Sequence, residues 1–160
     1  MSESFPLLPY VFFPEASAEL KRTPMVLLDA KNKNEFSTKY LPWETLNIYS
    51  NLLNIIKERM DKNPTANIMI TGTNSNTSVE ANNLELSKAR ATAVKDYFVN
   101  NLGISAERIS IGSQNLPNKP SNPTTLDGIQ ENQRAEITSD NRSILEPLEL
   151  SQIDRIANPP

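Results

Sequence analysis

The chain has 160 residues, 38% of them hydrophobic and 22% charged, with a net charge of -3. That is enough for one domain with a real core and too little for two, and an acidic balance offers nucleic acid no clustered Lys/Arg to meet its phosphates. Cysteine and histidine are both absent, which removes thiol nucleophiles, Ser-His-Asp triads, c-type haem attachment and the usual zinc sites. Twelve prolines against four glycines point to long irregular segments stiffened by proline.

The opening stretch MSESFPLLPYVFF lacks the basic and continuous apolar regions of a signal peptide, and no apolar run is long enough to span a membrane. Pro9 lacks a ladder donor, so the first strand is expected over Tyr10–Phe13, with residues 1–9 as an arm or linker. Residues 14–41 mix PEASAEL, an apolar MVLLDA patch and KNKNEFSTKY, which fits a long connection with an insertion around 21–41. From Trp43 to Met60 the apolar residues Leu46, Tyr49, Leu53, Ile56 and Met60 recur at helical spacing and predict one amphipathic helix, ended by Asn63-Pro64.

NIMIT, residues 67–71, reads as a buried strand closed by Gly72. An Asn/Ser/Thr loop follows, then a second helix over Leu84–Asn101 with Leu86, Val94 and Phe98 on one stripe and Arg90 on its flank. RISIGS at 108–113 and QRAEIT at 133–138 alternate as strands on either side of a proline-rich loop. Strands and helices in this order predict an α/β two-layer sandwich over residues 10–140, with both helices on one face of the sheet. Residues 141–160 show no period and are expected as a second arm or linker.

These elements carry residues in a recognisable order. Ile70 and Gly72 precede a loop, then come Asn83, Leu86, Ser87, Arg90 and Ala91 in the pattern N-x-x-L-S-x-x-R-A, then Gly103-Ile104, Arg108-Ile109 and Gly112. Asn132, Arg134, Glu136 and Ile137 close the series, and Phe13 and Ser17 fit an opening F-x-x-x-S. The pattern resembles the OmpA C-terminal-like domains that attach envelope proteins to peptidoglycan, and the resemblance covers roughly residues 10–140 with that family's βαβαββ order.

The resemblance implies a non-catalytic module without a cofactor, periplasmic or outer membrane-associated as part of a larger exported protein. It implies non-covalent contact with the diaminopimelate of the wall stem peptide, in which Arg90 would fork onto a carboxylate. Asn74, Ser75, Asn83 and Arg134 complete the implied binding set. Ser75, however, stands where the family has an aspartate to receive the ligand's ammonium, and Gln133 replaces the first arginine of N-R-R. Losing that acidic partner would cost about 1 to 3 kcal/mol of binding.

Glu80, further along the same loop, is a second source of negative charge. Arg90 has an alternative role as the partner of a carboxylate within the chain, such as Glu136, and the loop an alternative as a plain Asx-rich turn. The leading expectation is a wall-binding domain; its alternative is a degenerate OmpA-like domain serving as a structural or protein-interaction unit of a larger envelope protein. A carboxylate-pair glycosidase is disfavoured by scattered acidic residues without a motif.

Overall fold

The computed structural model describes residues 2–151. Four strands form the main sheet: β2 (Tyr10–Phe12), β3 (Ile68–Gly72), β4 (Ile109–Ser113) and β5 (Arg134–Ser139). Their spatial order is β2-β5-β3-β4; β3 and β4 are parallel, and β5 runs antiparallel to both β3 and β2. Residues at alternate positions, Val11, Ile68, Ile70, Ala135 and Ile137, are buried, as expected of a sheet covered on one face. Met69, between two buried neighbours, is 41% exposed on the other side.

The helical layer is supplied by α1 (Thr45–Ser50), α2 (Leu52–Lys62) and α3 (Leu84–Asp96). Leu53, Ile56, Met60, Ala91, Val94 and Phe98 join the sheet residues in one core. The expected two-layer α/β sandwich is therefore present, and α3 reaches Asn101 through a wider π turn over Tyr97–Asn101. Gly103 follows at φ +76, a left-handed position that suits glycine after a helix end.

The first helical segment differs from the expectation. The single helix over Trp43–Met60 is two helices, broken at Asn51, whose backbone leaves the helical region. Leu46, assigned to the buried stripe, is 73% exposed. The apolar residues of this segment serve two surfaces: Leu52, Leu53, Ile56 and Met60 face the main core, whereas Ile48 and Ile55 join Leu41, Leu148 and Leu150 in a second cluster. A stripe drawn for one surface cannot accommodate both.

Both segments expected as arms contain a strand within the described residues. β1 (Ser2–Phe5) and β6 (Leu148–Ser151) pair antiparallel, with Phe5 opposite Leu148. Arg59 of α2 secures the approach to β6 by donating to the carbonyls of Ile144, Glu146 and Pro147 at 3.1, 2.6 and 3.3 Å. A short helix α4 (Leu126–Glu131) lies between β4 and β5, its start capped by Thr125.

Candidate functional site

The site begins where β3 meets α3. A Cβ on Gly72 would lie 1.6 Å from the Ser87 carbonyl oxygen, so only glycine lets the strand end pass this close to the helix. The chain then turns under α3, and Asn74 fixes it there. The Asn74 side-chain amide reaches Ser87 Oγ at 2.9 Å, Asn115 Oδ1 at 3.0 Å and the Asn83 carbonyl at 3.1 Å, while its Oδ1 accepts from the Asn76 amide at 2.7 Å. Asn83 caps α3 by accepting from the Leu86 amide at 3.0 Å.

Arg90 is fully buried, and its Cζ lies 5.6 Å from the centre of the Phe13 ring. Nε donates to the Ser17 carbonyl at 2.9 Å. Nη1 donates to the Thr73 carbonyl and to Glu80 Oε1, both at 3.0 Å. Nη2 donates to the Pro14 carbonyl at 3.1 Å and to Glu80 Oε2 at 2.7 Å. A guanidinium has five N–H donors, and each of the five has an acceptor from this chain.

Glu80 is equally enclosed, with no exposed surface. Besides the two-point fork from Arg90, its Oε1 accepts from the Ser75 amide at 3.0 Å and its Oε2 from the Ala16 amide at 2.9 Å. Burial alone pushes this carboxyl up, but the Arg90 guanidinium and the two amides outweigh it and hold the carboxyl below the usual range. Removing one member of such a pair leaves a buried charge alone, which costs about 3 to 5 kcal/mol.

The backbone around Glu80 is held in left-handed conformations at residues other than glycine. Ala16, Asn76, Ser78 and Asn82 have φ of 58, 55, 53 and 54°. Asparagine tolerates this region, but alanine and serine incur roughly 1 to 2 kcal/mol each. Ala16 is the residue whose amide binds the Glu80 carboxylate, and Ser78 begins the single turn that delivers Glu80.

The expected site residues are thus only partly assembled. Asn74, Ser75, Asn83 and Arg90 surround the β3–α3 junction. Ser75 is buried; its amide meets Glu80, while its hydroxyl lies 3.3 Å from that of Thr77. Arg134 projects from the opposite face of β5, over the Tyr10 ring at 4.3 Å. There it pairs with Glu136 at 2.7 Å and donates to the carbonyls of Glu131 and Lys119. Glu136 is therefore taken by Arg134, and the carboxylate that meets Arg90 is Glu80.

Sequence reasoning overlooked Pro14, Ala16 and Thr73, which act through backbone atoms. Ser17, matched only as a motif position, contributes its carbonyl to Arg90. Among the described residues, no three His, Cys, Asp or Glu side chains gather as a metal site, and no helix is long and apolar enough to cross a membrane.

The fold is a four-stranded mixed sheet with helices on one face, and Arg90 of α3 lies beneath the β3–α3 loop. The OmpA family model matches residues 35–135, and the chain belongs to this family. No curated protein matches it. Among solved structures, it is similar to the peptidoglycan-associated lipoprotein from Burkholderia pseudomallei at 18% identity and a TM-score of 0.53, covering 82% of this chain and 90% of that one. It is also similar to the OmpA-like domain of FopA1 from Francisella tularensis subsp. tularensis SCHU S4, at 17% identity and a TM-score of 0.51, covering 94% and 84%. At these identities the likeness speaks for the fold.

Proposed function

We propose that this domain is a non-catalytic structural or protein-interaction unit of a cell-envelope protein, and that it does not hold the wall stem peptide through Arg90. The observation that carries this reading is the saturation of Arg90, whose five donors all end on acceptors of the chain itself. A ligand carboxylate would need the two-point fork that Glu80 already occupies. Family membership and the envelope character of the similar structures support a periplasmic or outer membrane-associated setting.

The competing reading, stem-peptide contact through Arg90, is favoured by the retained Asn83 and Arg90 motif positions. It requires Glu80 to leave first, at the cost of separating a buried ion pair. It also leaves the ligand's ammonium without an acidic partner, since Ser75 carries no charge. Replacing Ser75 with aspartate would not by itself restore a site, because the Ser75 side chain lies against Thr77 and Glu80 would still occupy the Arg90 fork.

Co-sedimentation with diaminopimelate-type cell walls tests the proposal. The natural protein is expected to remain in the supernatant over the wall concentrations that pellet a binding member of the family. Saturable pelleting of the natural protein, abolished by soluble stem peptide, would overturn it.

A further inference from the structure

The Glu80 side chain sits in a complete carboxylate seat, and most of that seat belongs to parts of the molecule other than its own loop. Arg90 comes from the middle of α3, and the Ala16 amide from the segment after β2. The Ser75 amide comes from the turn after β3. Four donors converge on two oxygens, two per oxygen, in a volume closed to solvent. The guanidinium is in turn fixed by three carbonyls, of Pro14, Ser17 and Thr73, that have no dependence on Glu80.

Glu80 reaches this seat on a loop whose residues 76, 78 and 82 are all left-handed without being glycine. Two of the four donors are therefore set by the packed helix α3, while the Ala16 and Ser75 amides come from loops, and Ala16 on the donor side is left-handed like Ser78 on the acceptor side. Seat and side chain are arranged as a binding site and an occupant, joined by the chain.

We propose that the Arg90 pocket is a carboxylate-binding site whose ligand is the protein's own Glu80 side chain, and that vacating it yields a domain that takes up small carboxylates. The specificity would be for a planar carboxylate, since the two oxygens are read by a guanidinium fork and one amide each. Chloride offers one point of attachment where the seat has two. The idea rests on the same saturation of Arg90 as the proposed function, yet the two fail separately. Wall binding by the natural protein would refute that reading and leave the carboxylate seat standing, whereas the experiment below bears on the seat alone.

The test is the thermal midpoint of Glu80→Ala in sodium formate or acetate against sodium chloride at equal ionic strength. Formate is expected to raise the midpoint saturably, by about 3 to 5 °C at a concentration roughly tenfold above its dissociation constant. The natural protein, and Glu80→Gln with its seat still filled, are expected to show no difference between the salts. The double variant Glu80→Ala, Arg90→Met removes the fork and should likewise be indifferent. If Glu80→Ala is unfolded in chloride, refolding upon dilution into formate is the readout, and its recovery there supports the proposal. A Glu80→Ala protein that responds to formate no more than to chloride, or fails to fold in either, would overturn it.

Discussion

Arg90 and Glu80 form a two-point ion pair 2.7 Å apart at its closest, without exposed surface on either side chain. Because the folded Glu80 carboxyl lies below its ordinary value, the unfolded chain binds more protons than the folded one as pH falls through about 4.3. The pair's contribution is therefore present above that pH and is lost as pH drops through the folded value. Glu80→Gln leaves Arg90 facing an amide, and at pH 7 it should be less stable by about 3 to 5 kcal/mol. Urea midpoints measured at pH 7 and pH 3.5 should show that gap narrowing in acid. An equal gap at both values would mean that Glu80 is not the ionised partner.

This pair was only half visible beforehand. Arg90 stood out through its motif, and Glu80 was noted as a spare charge on the loop. The pairing itself depends on four left-handed residues and on an amide 64 positions upstream of Glu80, Ala16. Periodicity carries no information about either. Glu136, two residues from Arg134 on the same face of a strand, was the natural guess for Arg90 and proved to serve its own neighbour.

At the level of elements, the junction of β3 and α3 positions everything that follows. Gly72 touches the backbone of Ser87 so closely that a methyl group would displace α3. Gly72→Ala should therefore lower the thermal midpoint by roughly 10 °C, as overpacking against immovable backbone does. Gly103→Ala, where the penalty is the left-handed φ and the added methyl meets only the end of the Lys33 side chain, should cost about 1 kcal/mol. Similar losses in the two variants, followed by differential scanning calorimetry, would show that the close approach is not what glycine is for. Arg108 illustrates the same economy: it donates to the carbonyls of Met60, Asn63 and Ala66, tying the end of α2 to the strand that follows it in space.

The sheet strands and α3 were readable because each buries one face, giving a period of two or 3.6. The break at Asn51 was not. Asn51 reaches back to the Asn47 carbonyl, and Asn54 meets both Asn51 and the Val26 carbonyl. These polar contacts end one helix and start another without interrupting the apolar spacing. β1 and β6 were also missed, since each is four residues long and its partner lies at the other end of the sequence.

Across the whole molecule, the main core and the smaller cluster around Ile48, Ile55, Leu148 and Leu150 enclose an OmpA-family fold. Its arginine is satisfied from within. The most direct measurement follows the side-chain Nε–H signal of Arg90 by nuclear magnetic resonance during titration with a diaminopimelate-containing stem peptide. A donor buried against the Ser17 carbonyl should exchange slowly with water and stay unmoved up to millimolar peptide. An Arg90 signal that exchanges rapidly, or shifts saturably with the peptide, would contradict the closed pair.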